Sequence, residues 1–198
     1  MDKVRADMPP LTQDTIIPFL AGIFERRGSD AYLGEKVTMA EHMLQGAALA
    51  VKARASDAAI AAILLHDIGH YTSEFPADAV TAGMDNFHDE AGAAVLAPFF
   101  PAAVTDCIRH HVAAKRYLCA VNADYFECLS QASIDTLALQ GGPMSEGEVA
   151  EFAKNPNLDE ILQIRYWDDA GKIAGRKIPD FDHYIPMLQR LVARSGMR

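Results

Sequence analysis

Six of the seven histidines fall between residues 42 and 111: His42, His66, His70, His88, His110 and His111; the seventh is His183. The surrounding segments are apolar, so several imidazoles belong to the interior. A single histidine on an apolar helix face is ordinarily a hydrogen-bonded core residue. Several on consecutive core helices are harder to bury without partners. A metal centre answers this, because neutral imidazole ligates iron, manganese or zinc. The sharpest signal is Leu64-Leu65-His66-Asp67-Ile68-Gly69-His70. A carboxylate directly after a buried apolar run needs a charge partner, and a carboxylate can bridge two metals where imidazole cannot. His66 and His70 share a face if the helix continues, which would make His70 a ligand or an acid/base group beside the metals. The plain alternative is a helix C-terminus with His66 favourably placed against the dipole.

These residues must be positioned by helices, because the hydrophobic pattern is helical almost throughout. Expected helices are Asp14 to Arg26, Glu41 to Ala53, Asp57 to His66, Asn86 to Leu96, Pro101 to about Tyr117, Glu127 to Gln140, one opened by Ser145-x-x-Glu148, Leu158 to Ala170, and Asp182 to Arg194. Thr38-x-x-Glu41 is a capping-box candidate. No alternating stretch is long enough to propose a sheet. Of each adjacent pair His110/His111 and Asp168/Asp169, one member faces the centre, and periodicity decides neither. Asp135 is a weaker acidic candidate.

The chain has 198 residues, enough to bury a substantial core, and no composition break marks a boundary, so one domain over 1–198 is expected. Acidic residues outnumber basic ones 27 to 18, for a net charge of −9. That balance argues against a general nucleic-acid or anionic-membrane binder, while leaving room for a local basic pocket. No apolar run is long enough to span a membrane, and the first residues show no secretory pattern. Three cysteines, Cys107, Cys119 and Cys128, read as free thiols in a reducing cytosol. Cys107 and Cys119 are expected to fill core positions.

The order His42, His66-Asp67 and a late Asp resembles the metal-dependent His-Asp ("HD") domain superfamily, an all-α helical bundle. Ala40-Glu41-His42-Met43-Leu44-Gln45, Leu65-His66-Asp67-Ile68-Gly69-His70 and His111-Val112-Ala113-Ala114-Lys115-Arg116-Tyr117-Leu118 resemble more closely its phosphonate-cleaving, mixed-valent di-iron oxygenases. Arg165-x-x-Asp168 adds to that likeness, which covers about residues 30 to 175. The bare His-Asp pair is weakly specific; the combination is much more so.

The resemblance implies six ligands for two iron ions in the Fe(II)/Fe(III) state. Asp67 would bridge; His42, His66 and Asp168 would complete one site, and His88 and His111 the other. It favours His111 over His110 and Asp168 over Asp169. It also implies that Tyr32, in Tyr32-Leu33-Gly34-Glu35, occupies an iron position until substrate arrives, and that Glu35 senses a cationic nitrogen; otherwise both are loop surface residues. Lys115 and Arg165 would hold a phosphonate, with Ser133 adding a hydrogen bond; otherwise they are snorkelling or ion-paired cations. His70 would bind substrate oxygens or move a proton.

The implied reaction is oxidative C–P cleavage of a 1-hydroxy-2-(amino or trimethylammonio)ethylphosphonate by O2, in the cytoplasm. Aromatic cage members for a trimethylammonium group would be Tyr32, Phe24, Tyr71 and Phe75. A metal-dependent phosphohydrolase on the same fold is the alternative. Residues 1–28 are expected to form a helical extension packed over the bundle.

Overall fold

The computed structural model describes residues 9–32, 34–75 and 87–195. Ten α-helices are found there: α1 Ile16–Arg27, α2 Met39–Lys52, α3 Asp57–Leu65, α4 His88–Leu96, α5 Ala102–Val121, α6 Ala123–Glu127, α7 Gln131–Leu139, α8 Glu146–Phe152, α9 Leu158–Ala170 and α10 Ile185–Ser195. Two 3-10 helices join them, Ile68–Glu74 after α3 and Phe181–Tyr184 before α10. Among the described residues there is no strand, only an isolated antiparallel bridge between Ala31 and Thr38. None of their helices is long and apolar enough to cross a membrane. The architecture is all-α.

Helix α3 explains the centre of the bundle. From Ala59 to Leu65 every residue is buried. A helix apolar on all sides must be enclosed: α2, α5 and α9 pack around α3, and α9 packs on both α2 and α5. The helix starts at Ser56, whose hydroxyl accepts the Ala59 N–H. Its end is where the chemistry begins. His66 keeps helical dihedrals, Asp67 turns out of them (φ −98, ψ 8), and the tighter 3-10 helix follows. The helix therefore does not continue to His70, and His66 and His70 do not share a helix face. Gly69 permits this turn to press against α4: a Cβ there would overlap the His88 carbonyl.

The capping boxes at Thr38/Glu41 and Ser145/Glu148 both form. The expected helix from Glu127 to Gln140 is instead two elements. Ser130 is extended (ψ 157) and its hydroxyl accepts the Ser133 N–H, so a new helix starts at Gln131 and α6 ends at Glu127. Helix α5 runs four residues past Tyr117, to Val121. Helix α4 starts at His88; Asn86 lies outside the described residues. Cys107 is buried, Cys119 half-buried and Cys128 exposed, so only Cys107 is a full core residue. Ile16, Leu20 and Ile23 of α1 are fully buried, and α1 packs on α2 and α10.

Candidate metal centre

Five elements deliver one cluster. His42 comes from α2, His66 and Asp67 from the end of α3, His88 from the first turn of α4, His111 from α5 and Asp168 from α9. His42, His66, Asp67, His111 and Asp168 are all buried. The Asp67 carboxylate lies between two sets of imidazoles. Its Oδ2 is 3.5 Å from His42 Nε2 and 3.2 Å from His66 Nε2. Its Oδ1 is 3.6 Å from both His88 and His111 Nε2, and 3.7 Å from His70 Nε2. Asp168 closes the first set, with Oδ1 3.3 Å from His42 Nε2 and Oδ2 3.7 Å from His66 Nε2.

Backbone carbonyls orient three of the rings. His42 Nδ1 meets Gly171 O at 3.1 Å, His66 Nδ1 meets Ile63 O at 2.8 Å, and His111 Nδ1 meets Ile108 O at 2.6 Å. A carbonyl only accepts, so each Nδ1 carries the proton and each neutral ring turns an Nε2 lone pair inward. Two of these lone pairs face one another, His42 and His66 Nε2 being 3.2 Å apart, and the His111 lone pair faces His88 Nε2 at 3.0 Å. Asp67 Oδ2 and Asp168 Oδ1 are buried with no hydrogen-bond donor. Converging lone pairs and orphaned carboxylate oxygens need a positive charge among them. Metal ions fit that need, and nitrogen and oxygen donors without thiolate suit iron, manganese or zinc.

Without a metal, a proton supplies the charge. Burial pulls the His66 imidazole down, but Asp67 and Asp168 outweigh it and push it up to about 9. Burial and the neighbouring His70 bring His88 down to about 4. Burial, His88 and His66 hold His111 well below the usual range. Burial opposes ionisation of Asp67 and Asp168, yet His66 holds Asp67 low, and Arg165 with His66 does the same for Asp168. The cluster keeps its carboxylates ionised and the His88 and His111 imidazoles neutral, the protonation states that ligands require.

The structure separates the adjacent pairs. His110 lies away from the cluster, with Nδ1 against the Asp106 carboxylate at 3.0 Å. Asp169 faces outward from the ligand set: it accepts from the Tyr125 hydroxyl at 2.6 Å and from Arg165 Nε at 3.0 Å. Asp135 is exposed and accepts from Gln131. His70 is half-exposed and stacks on His88, ring centroids 4.0 Å apart.

A small cavity at the cluster is lined by Tyr32, Asp67, His70, His88, His111, Lys115, Ser133, Arg165 and Asp168, among others. Tyr32 is buried and stacks on His42 at 3.9 Å. Burial and the charges of Asp67 and Asp168 raise its phenol well above the ordinary value. Lys115 reaches Thr136 Oγ1 at 2.8 Å and the Ser133 carbonyl at 3.4 Å. Burial and the nearby Arg165 lower its ammonium to about 8. Arg165 binds Asp168 Oδ2 through Nη1 at 2.6 Å and Asp169 through Nε and Nη2, leaving further N–H donors free. Glu35 accepts from the Ser130 hydroxyl at 2.5 Å. Leu33, in the same motif, lies outside the described residues.

Of the four aromatic cage candidates, only Tyr32 reaches this cavity. Phe24 packs on Phe181 with centroids 4.4 Å apart, Phe75 is fully buried in the core, and Tyr71 lies under the Arg27 guanidinium. Sequence reasoning gave no role to Ser130, Tyr125 or Gln45. Nor did it give one to Lys172, which also lines this cavity; its position one turn after Asp168 was the signal that could have found it.

Comparison with known proteins adds a family and relatives. A family model described as "HD domain" matches residues 39–146. The chain is 55% identical over 188 residues to the [1-hydroxy-2-(trimethylamino)ethyl]phosphonate dioxygenase (glycine-betaine-forming) of Leisingera caerulea, covering 95% of this chain and 96% of that protein. It is 47% identical over 166 residues to the hydroxymethylphosphonate dioxygenase of Gimesia maris, covering 83% of each. An uncharacterized protein of Acanthamoeba polyphaga mimivirus is 32% identical over 179 residues, covering 89% of this chain and 81% of that one.

Proposed function

The chain belongs to the HD-domain family, and from that premise we propose that it is a non-haem di-iron dioxygenase that cleaves the C–P bond of a 1-hydroxy-2-substituted ethylphosphonate. The reaction is R–CH(OH)–PO3(2−) + O2 → R–COO(−) + HPO4(2−) + H(+). With a trimethylammoniomethyl group as R the product is glycine betaine; with an aminomethyl group it is glycine. The relative from Leisingera caerulea supports the first. Both named dioxygenase relatives support oxidation over phosphohydrolysis.

The observation that carries the reading is the Asp67 carboxylate, with its two oxygens facing different imidazole sets. His42, His66 and Asp168 would hold one iron and His88 and His111 the other, with Asp67 between them. An Fe(II)/Fe(III) pair there would supply oxygen activation and acidify the substrate hydroxyl, all four electrons needed by O2 coming from the substrate.

The remaining work belongs to side chains. Lys115, the free N–H groups of Arg165 and the Ser133 hydroxyl bind the phosphonate oxygens. Arg165 also holds Asp168 in its ligating orientation. Tyr32, flat against His42, covers that half of the centre until substrate displaces it, which limits wasteful oxygen chemistry. Glu35 accepts the cationic end. His70, the half-exposed imidazole, hydrogen-bonds substrate oxygen or carries a proton at Nε2 to the cavity.

The whole chain, 1–198, acts as one HD-domain unit in the cytoplasm; of the expected extension 1–28, residues 1–8 lie outside the described residues and α1 packs on α2 and α10. The buried face of α1 and the unpaired thiols support this.

Low-temperature EPR of iron-loaded protein tests the proposal, before and after adding 1-hydroxy-2-aminoethylphosphonate or its N-trimethyl analogue. A coupled Fe(II)/Fe(III) signal perturbed by one compound, with oxygen consumed in equal amount to phosphate released, is expected. Failure to assemble any di-iron state would favour the phosphohydrolase instead.

A further inference from the structure

Lys172 follows α9 by two residues, and its surroundings are unusual for a lysine. Its side chain is only 12% exposed. The ammonium donates to Ser133 Oγ at 2.9 Å and lies 3.5 Å from Glu35 Oε1, 3.8 Å from Asp169 Oδ1 and 5.9 Å from the Tyr32 ring centroid. The backbone that carries it is pinned on both sides. Gly171 O accepts from His42 Nδ1, and Gln45 bonds Ile173 twice, through Nε2 to O at 2.9 Å and from N to Oε1 at 3.1 Å. Glu35 is itself largely buried, 15% exposed, and its partners are Lys172 and the Ser130 hydroxyl.

A carboxylate, an aromatic face and an enclosing wall form the environment that receives a cationic nitrogen. Here the protein's own ammonium already occupies it. We propose that Lys172 is a specificity-determining residue: its ammonium stands in for the substrate's cationic nitrogen beside Glu35 and must move aside for that nitrogen to bind. The inference rests on the phosphonate reading above and deepens it. Ser133 Oγ and Asp169 Oδ1 give the displaced ammonium somewhere to remain, so the exchange of one cation for another leaves no carboxylate unpaired. A phosphonate without a cationic end leaves the Lys172–Glu35 pair intact. Lys172 thus lowers the preference for a cationic substrate over a neutral one, and the protein's selectivity is a difference of two affinities.

Calorimetric titration of anaerobic, iron-loaded protein tests this with two ligands of the same shape. One is [1-hydroxy-2-(trimethylamino)ethyl]phosphonate; the other carries a tert-butyl group in place of trimethylammonium. The ratio of their Kd values isolates the cation and cancels any effect of Lys172 on the phosphonate. Lys172→Met and Lys172→Gln are each expected to shift that ratio toward the cationic ligand by about tenfold, the scale of one desolvated charge contact. Lys172→Arg should hold the wild-type ratio. Adding Glu35→Gln to Lys172→Met should erase the gain. An unchanged ratio in both neutral variants, with wild-type protein binding both ligands, overturns the role of Lys172 alone. Wild-type protein that binds neither ligand overturns the phosphonate reading, and this proposal with it.

Discussion

The two halves of the histidine–aspartate cluster meet at Asp67 and behave differently. The half made by His42, His66 and Asp168 is closed: none of the three side chains is more than 2% exposed, and both rings are anchored to carbonyls. The half made by His70, His88 and His111 is open. His70 and His88 are 27% and 19% exposed and face an adjoining cavity of about 430 Å³. His66 is pushed up to about 9 while His88 is brought down to about 4. Burial lowers both rings; Asp67 and Asp168 outweigh it at His66, whereas burial and His70 prevail at His88. The closed half also carries structure, since its residues tie α2, α3 and α9 together. The open half is the side of the centre that faces a cavity.

Removing what joins the halves should have the largest effect. Asp67→Ala should bind neither metal and lose turnover, with far-UV circular dichroism unchanged. Elemental analysis showing two metals per chain in that variant would refute the bridge.

Breaking one half at a time sharpens the comparison. In chelator-treated protein, His66→Ala removes the main charge partner of the buried Asp67 and should cost about 3 kcal/mol in urea unfolding. His88→Ala, at the open edge, should cost less than about 1 kcal/mol while still losing iron. Equal costs would remove the distinction.

A pH titration reaches the anion-binding side of the cavity. Lys115 is lowered to about 8 by burial and Arg165, so its charged form is present below about 8 and lost above. Phosphonate affinity should fall as pH rises through that value, and Lys115→Arg should abolish the fall. The stability effect has the opposite sign. The folded-state value lies below the unfolded value of about 10.4, so charging Lys115 destabilises the fold below about 8, and that cost is relieved as pH rises between the two.

The smallest effect is expected at Tyr125→Phe, which removes the hydroxyl holding Asp169 against Arg165. A loss of about 1 kcal/mol in stability, with metal content intact, would keep Tyr125 as a support for Arg165. A loss of iron would make it part of the closed half.

The sequence by itself determined the helical class, the capping boxes and the residue types of the site. Period, caps and an apolar run ending in His66-Asp67 are local properties, and local sequence dictates them. Periodicity could not choose between His110 and His111, or between Asp168 and Asp169, because both members of each pair fall on partly buried helix faces; only the family resemblance favoured His111 and Asp168. Packing of α5 against α4 and of α9 against α2 brings His111 and Asp168 to the cluster. Sequence also carried the helix expectation through Glu127 and Ser130, where a side-chain cap competes with the helix. Only the folded chain brings Lys172 to Glu35, across 137 positions and from different elements. Contacts of that separation depend on how whole helices pack, and no local pattern encodes them.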